Sequence, residues 1–167
     1  MAFDFSQLKV LVVDDNEFMQ RILTELLIAL SFHRDKILKT GDGSSALKIL
    51  SFQSPDLVIC DLNMKPMNGK RLTQLIRSAD DSANPYVPII VCTGHSEIEH
   101  IVDARDAGAT EILRKPISAA SLYSRLRAIV ESPRPFIKSP IYVGPDRRRR
   151  DLPFDGPDRR TQIAEIG

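Results

Sequence analysis

Short apolar runs alternate with helical patterns over the first 130 residues of this 167-residue sequence. Five runs predict strands: KVLVVDD, KILKT, DLVIC, VPIIVC and TEIL, at residues 9–15, 36–40, 56–60, 87–92 and 110–113. Apolar residues at helical spacing predict five helices, over residues 18–30, 45–52, 69–77, 97–107 and 118–130. Alternating strands and helices are typical of an α/β protein, with a parallel sheet covered on both faces.

Polar residues stand at the carboxyl ends of four of these strands. In a doubly wound sheet these ends meet where ligands bind. Three clustered carboxylates repel one another, and one of them takes up a proton unless a cation lies between them. Mg²⁺ accepts oxygen ligands and keeps an open face for phosphate, so the pattern predicts a magnesium site where an aspartate attacks a phosphoryl group. The residues are Asp14 and Asp15 after the first strand, Asp61 after the third, Thr93 after the fourth and Lys115 after the fifth.

The motifs VVDDN, CDLNMKPMNG, CTG and RKP, at residues 12–16, 60–69, 92–94 and 114–116, resemble the receiver domain of bacterial two-component response regulators, of the chemotaxis CheY-like type. The resemblance covers about residues 7–130. It implies a flavodoxin-like fold, with a five-stranded parallel sheet in the order 2-1-3-4-5 and helices on both faces. It also implies a sensor histidine kinase or a phosphotransferase as partner, and no enzymatic activity beyond phosphoacceptor chemistry.

The same resemblance assigns roles to the strand-end residues. It implies Asp61 as the phosphoacceptor, and Thr93 and Lys115 as the residues that bind the phosphoryl group and relay its presence. Mg²⁺ would be held by Asp14, Asp15, Asp61 and the backbone carbonyl of Asn63.

Two positions depart from the family's pattern. Lys65 stands where the family commonly has proline, and the proline follows as Pro66. Ile112 stands where the family usually has an aromatic ring that turns inward on phosphorylation. Since that ring is absent, phosphorylation need not be the main input.

The composition changes after Val130. Residues 131–140, ESPRPFIKSP, contain three prolines, which predicts an extended linker. The next segment, YVGPDRRRRDLPFDGPDRR, repeats GPDRR. We therefore divide the chain into a receiver domain (1–130) and an irregular tail. The tail comprises a Pro-rich linker (131–141), an arginine-rich ligand-binding segment (142–160) and a C-terminal end (161–167).

Each arginine pair in the tail follows Gly-Pro-Asp, which is turn chemistry. Arginine donates two hydrogen bonds to the O6/N7 edge of guanine, and a carboxylate accepts from the opposite edge. Two such units predict a ligand that presents guanine twice, and cyclic di-GMP is such a ligand. The candidate ligand-binding residues are Tyr142, Asp146, Arg147, Arg148, Arg149, Arg150, Asp151, Asp158, Arg159 and Arg160.

A complete receiver followed by YVGPDRRRR and GPDRR is similar to the Cle group of CheY-like proteins. That resemblance implies a cyclic di-GMP effector that acts at the flagellar motor switch and controls motility and surface attachment. A free tail of this composition should be disordered, so we expect it to order when the ligand neutralises its arginines. Two alternatives stay open: a phosphorelay shuttle or stand-alone receiver whose tail is incidental, and a tail that binds nucleic acid. The net charge of +1 and the interleaved aspartates disfavour nucleic acid.

No signal peptide and no long apolar run is evident in the sequence. We therefore expect no membrane span and a cytoplasmic protein, with recruitment to the flagellar motor or cell pole. Cys60 and Cys92 lie inside apolar runs, which predicts buried, reduced thiols.

Overall fold

The strands of the first 130 residues form one parallel sheet. The computed structural model describes residues 3–94, 98–139 and 142–146, and the backbone of 161–165. The strand order is β2-β1-β3-β4-β5, as the family resemblance implied, and each neighbouring pair is parallel, as the alternation of strands and helices predicted. The strands are β1 (Val10–Val13), β2 (Ile37–Thr40), β3 (Leu57–Asp61), β4 (Ile89–Thr93) and β5 (Glu111–Arg114).

Five α-helices connect and follow these strands among the described residues, and four begin at a side-chain cap. The Asn16 side chain accepts hydrogen bonds from the backbone N–H groups of Phe18 and Met19. Ser118 forms a capping box with Ser121. The helices are α1 (Glu17–Ala29), α2 (Gly43–Gln53), α3 (Gly69–Ser78), α4 (Ile98–Ala107) and α5 (Ala119–Glu131).

The sheet separates two apolar layers. On one face the strands pack against α2, α3 and α4, and on the other against α1 and α5. Cys60 belongs to the first layer and Cys92 to the second, and both are buried free thiols. Burial raises the pKa of Cys60 to about 12 and also raises that of Cys92. The two cysteines are therefore core residues, as expected.

Within the described ranges, no helix combines the length and the apolar character that crossing a membrane requires.

The tail differs from the irregular segment that we expected. Its described residues form an antiparallel sheet in the order β7-β6-β8, with β6 inside the segment predicted as a linker. Pro135 is the first residue of β6, where a missing N–H donor is tolerated. These strands are β6 (Pro135–Ser139), β7 (Tyr142–Pro145) and β8 (Thr161–Glu165).

The β6–β7 hairpin packs against the receiver. Phe136 is only 2% exposed, and its ring lies edge-on to the ring of Tyr86, with centroids 5.3 Å apart. Gly108, just after α4, has a φ of +110°, and a Cβ there would clash with Arg77 and with the carbonyl of Val143. A glycine at this point therefore lets β7 approach the end of α4.

Candidate functional site

Three aspartates converge at the carboxyl ends of β1 and β3. Each offers one carboxylate oxygen, and these oxygens lie within 4.8 Å of one another. Asp14 and Asp61 are buried, while Asp15 is exposed. The Asp14 carboxylate accepts a hydrogen bond of 2.9 Å from the backbone N–H of Asn16. The structure thus brings together the three carboxylates that the sequence predicted as a cluster.

The pKa of Asp14 is raised above its ordinary value by burial and by the neighbouring carboxylates. Burial raises that pKa, and the negative charges of Asp61 and Asp15 raise it further. The hydrogen bond from Asn16 and the charge of Lys115 act in the opposite direction without outweighing them. Three carboxylates with a surplus of negative charge form a donor set that suits a hard divalent cation.

Lys115 is the positive group beside the cluster. Its Nζ lies 2.9 Å from Oδ1 of Asp61. Loss of solvent lowers the pKa of Lys115, but the hydrogen bond and the charge of Asp61 outweigh that effect, so the pKa is raised. Its backbone N–H donates to the carbonyl of Thr93 at 2.9 Å. Lys115 therefore lies where β4 and β5 end, in contact with the predicted phosphoacceptor.

The remaining predicted residues lie around the same edge. Thr93 is the buried last residue of β4, and Asp61 is paired in register with the preceding residue, Cys92. Asn63 is exposed in the loop after β3. A Cβ at Gly69 would clash with the backbone carbonyl of Asp61, so only glycine lets α3 begin so close to the predicted phosphoacceptor.

The two positions that depart from the family pattern, Lys65 and Ile112, lie in different parts of the structure. Lys65 is exposed, and its backbone N–H donates to Oδ2 of Asp15 at 3.4 Å, which ties the loop after β3 to the acidic cluster. Ile112 lies in β5 and belongs to the apolar layer that faces α4. It is 9% exposed and serves the core.

Only the start of the predicted ligand-binding segment is described. The Tyr142 side chain is buried, and its hydroxyl donates to the carbonyl of Pro145 at 2.7 Å. The Asp146 N–H donates to the carbonyl of Pro135 at 2.8 Å. Residues Arg147, Arg148, Arg149, Arg150, Asp151, Asp158, Arg159 and Arg160 lie outside the described residues.

Arg77 is a buried residue that the sequence reasoning missed. Its Nε donates to the Gly108 carbonyl at 2.9 Å, and its Nη1 donates to the carbonyls of Val87 at 2.6 Å and Pro85 at 2.8 Å. Its guanidinium carbon lies 4.8 Å from the centre of the Phe136 ring. Burial lowers the pKa of Arg77 to about 9, so the group stays charged at neutral pH.

A signal for this role existed in the helical spacing. Arg77 falls on the same stripe of α3 as Leu72, Thr73 and Ile76, and all four are buried. The sequence reasoning also missed Glu111, which is 4% exposed at the start of β5 and contacts Arg125 and Arg134.

Comparisons with known proteins identify a receiver domain within the first 130 residues. The model of the family "Response regulator receiver domain" matches residues 10–127. Chemotaxis protein CheY-3 of Vibrio cholerae is 35% identical over 124 residues, which are 74% of this chain and 92% of that protein.

Solved structures of other proteins share the fold of this part of the chain. Chemotaxis protein CheY4 of Vibrio cholerae shares 26% identity with a TM-score of 0.65, over 73% of this chain and 98% of that one. A response regulator from Chloroflexus aurantiacus shares the fold at 24% identity with a TM-score of 0.68, over 74% of this chain and 98% of that one. The family match ends at residue 127, so it leaves out the whole tail.

Proposed function

Because this chain belongs to the response regulator receiver domain family and is of the chemotaxis CheY-like type, we propose that it is a single-domain response regulator and a cyclic di-GMP effector. Asp61 accepts a phosphoryl group, and the tail binds the dinucleotide. The contact of 2.9 Å between Lys115 and Asp61, inside a cluster of three carboxylates, supports the phosphoacceptor role. The repeated GPDRR supports the ligand.

Mg²⁺ fits the acidic cluster. Asp14, Asp15, Asp61 and the backbone carbonyl of Asn63 would hold it, and when bound it would supply positive charge beside the incoming phosphoryl oxygens. The clustering of three carboxylates within 4.8 Å supports this assignment, because a cation would offset their negative charge.

The chain's own residues account for the rest of the phosphoryl step. A carboxylate oxygen of Asp61 attacks the phosphorus of a phosphodonor such as acetyl phosphate, the bond from phosphorus to the acyl oxygen breaks, and acetate leaves with the electron pair. Lys115 donates to the phosphoryl oxygens, and so does the Thr93 hydroxyl. The ion pair between Lys115 and Asp61 holds the acceptor in place until then.

The phosphoacceptor role is tested by mass spectrometry after incubation with acetyl phosphate and Mg²⁺. We expect one added phosphoryl group on the wild type and none on Asp61→Asn. Asp35→Asn removes an exposed carboxylate that does not belong to the acidic cluster, and it is the matched control. Modification of Asp61→Asn to the wild-type level would contradict the assignment.

The tail role rests on paired aspartate and arginine side chains that read guanine. Tyr142 is buried within the hairpin, so it stacks on a base only if the hairpin opens. The arginines of each GPDRR unit donate to the guanine edge or to phosphate, and the aspartates accept from the guanine N1–H and amino groups.

Calorimetric titration with cyclic di-GMP tests the tail role. We expect Arg147→Ala combined with Arg148→Ala to abolish binding and to leave phosphorylation by acetyl phosphate unchanged. Cyclic di-AMP should bind far more weakly, because adenine lacks the O6 acceptor. Substitution is preferable to truncation, since β8 pairs with β6 and its removal would disturb the hairpin. Unchanged affinity in the double variant would sink the guanine-reading account.

The partners and cellular role belong to the same proposal. A sensor histidine kinase or a phosphotransferase supplies the phosphoryl group, and the ligand-bound chain binds a flagellar motor switch protein, which controls motility and surface attachment. The likeness to chemotaxis proteins supports this placement. Co-precipitation with the switch protein, with and without cyclic di-GMP, tests it; equal recovery in both would argue against ligand-promoted binding.

The phosphorelay shuttle with an incidental tail has one observation in its favour. Phe136 is buried against the receiver, so the tail contributes to the fold whether or not it binds a ligand. If the Arg147 and Arg148 double variant kept every regulatory output, the shuttle would be the better account.

A further inference from the structure

An arginine-lined groove runs along the face that α4, β5 and α5 form. Its volume is about 240 Å³. Its arginines come from four segments that are separate in the sequence, and Glu111 of β5 also lines it. The groove therefore carries an excess of positive charge. The arginines are Arg105 of α4, Arg114 of β5, Arg125 of α5 and Arg134, just before β6.

Two of these arginines are fixed by the buried Glu111. Nη2 of Arg134 lies 3.2 Å from one of its carboxylate oxygens, and Nη1 of Arg125 lies 3.6 Å from the other. The Arg134 side chain is 18% exposed and Glu111 is 4% exposed. This triad gives the groove a positive wall whose shape is set before any ligand arrives.

The other two arginines form the outer edge. Arg105 and Arg114 are both exposed. Across residues 3–94, 98–139 and 142–146, neither guanidinium group has an ion-pair or hydrogen-bond partner. Each can therefore bind an incoming anion without first breaking a contact to these residues.

The groove adjoins the start of the arginine-rich segment. The Asp146 N–H bonds to the carbonyl of Pro135 at 2.8 Å. Arg134 directly precedes Pro135, and Arg147 directly follows Asp146 in the chain. The hairpin thus holds Asp146, which directly precedes the arginine run in the sequence, beside Pro135, the residue after Arg134 of the groove wall.

We propose that this groove is the receiver-side part of the cyclic di-GMP site, and that Arg105 and Arg114 bind a phosphodiester of the ligand. The inference rests on the function proposed above. At about 240 Å³ the groove is smaller than the roughly 300–1,000 Å³ that encloses a whole small-molecule ligand, so it accommodates one part of the dinucleotide. The planar guanidinium group binds phosphate oxygens in pairs, which favours a phosphodiester.

Such a site would link the tail's ligand to α4 and β5. A dinucleotide held by the groove at one side and by the tail at the other would join the two parts of the chain across the α4–β5–α5 face. Ligand binding would then alter a receiver surface without any change at Asp61.

Calorimetric titration of the full chain with cyclic di-GMP tests the groove. We expect Arg105→Ala and Arg114→Ala each to weaken binding about tenfold and the double variant about a hundredfold. Arg21→Ala removes the same charge from an exposed position on α1 and should change the affinity less than about twofold. Arg114→Lys keeps the charge without the paired donors and should recover only part of the loss.

The outcomes separate this inference from the proposed function. If the Arg105 and Arg114 double variant binds like the wild type while the Arg147 and Arg148 double variant loses binding, the groove inference is wrong and the tail role stands. If only the groove variant loses binding, the groove stands and the tail account fails. If the wild type does not bind cyclic di-GMP, both are wrong.

NMR adds a readout of direct contact. We expect the ligand to shift the backbone amide signals of residues 111–114 in the wild type and in Arg21→Ala, and to leave them unmoved in the Arg105 and Arg114 double variant. Unmoved signals in the wild type during full binding would also overturn the groove inference.

Discussion

The two ends of the parallel sheet differ in the sign of their buried charge and in how that charge is compensated. At the carboxyl ends of β1 and β3, the carboxylates of Asp14, Asp15 and Asp61 lie together, and Lys115 contacts Asp61. At the amino ends of β4 and β5, Arg77 is surrounded by neutral carbonyl oxygens and an aromatic ring. The first end retains a surplus of negative charge, whereas at the second four of the five N–H donors of the guanidinium group have protein acceptors.

We infer from this difference that the acidic cluster is a binding site, whereas Arg77 stabilises the fold. A cluster with unbalanced charge gains from a cation, so its structure suits a ligand. A buried guanidinium that donates to several protein acceptors fixes the segments that supply those acceptors. Those acceptors precede β4 and follow α4, and the ring comes from the tail.

The largest effect should come from Arg77→Met. The change leaves the carbonyls of Gly108, Val87 and Pro85 without their donor, and each buried acceptor without a partner costs about 1–3 kcal/mol. We expect the free energy of unfolding to fall by about 3 kcal/mol or more, measured by urea denaturation. Arg71→Met alters an exposed arginine on the same helix and should change it by less than about 0.5 kcal/mol. Similar urea denaturation midpoints for the two variants would show that Arg77 does not stabilise the fold.

Phe136→Ala should have the next largest effect. A buried phenylalanine truncated to alanine costs about 3–5 kcal/mol in a core. We expect the hairpin to detach while the receiver stays folded, which would limit the loss to the free energy of docking, about 2–3 kcal/mol. Faster amide hydrogen exchange in β6 and β7 than in β1 would locate the loss.

Phe52→Ala is the matched control for that change. Phe52 is 84% exposed on α2, so its truncation should change the free energy of unfolding by less than about 0.5 kcal/mol. Equal effects of the two phenylalanine variants would show that the hairpin does not stabilise the receiver.

The carboxyl end of the sheet was predictable from the sequence and the amino end was not. Asp14, Asp61 and Lys115 each follow an apolar run, and a parallel sheet places all such ends at one edge. The acidic cluster was predicted correctly for that reason. The strand order was implied by the resemblance to the receiver family, and the structure confirms it.

Contacts at the amino end depend on distant segments. Arg77 bonds to Gly108, 31 residues away, and meets Phe136 of the tail, and no local pattern specifies either distance. Three prolines in residues 131–140 favoured a linker over a strand, although Phe136 and the register with β7 place a strand there. Local composition therefore failed where burial of one ring decided the structure.

Lys115→Met should have a smaller effect, which depends on the metal. The change removes the positive charge 2.9 Å from Asp61 and leaves the carboxylates to repel one another. The lysine side chain is 27% exposed, so solvent limits the loss, and we expect about 1–2 kcal/mol in the absence of metal. Excess Mg²⁺ should restore most of it in thermal melts. A loss that Mg²⁺ leaves unchanged would mean that the charge balance is not the cause.

Asp14→Asn should have the smallest effect and the opposite sign. The pKa of Asp14 is raised above its ordinary value of 3.8, chiefly by burial. The protonated carboxyl therefore favours the folded state, and its contribution to stability is lost as the pH rises through the raised pKa. Asparagine carries no charge at any of these pH values and can still accept from the Asn16 N–H.

The advantage of Asp14→Asn over the wild type should therefore be absent near pH 3 and present at pH 7, on the order of 1 kcal/mol or less in the free energy of unfolding. Mg²⁺ should reverse the order at pH 7, since the wild type gains stability from binding the cation and the variant has lost a ligand. Denaturation at the two pH values with and without Mg²⁺ measures both effects. An asparagine variant that Mg²⁺ stabilised as much as the wild type would show that Asp14 does not hold the cation. The contrast between the two ends of the sheet would then rest on Arg77 alone.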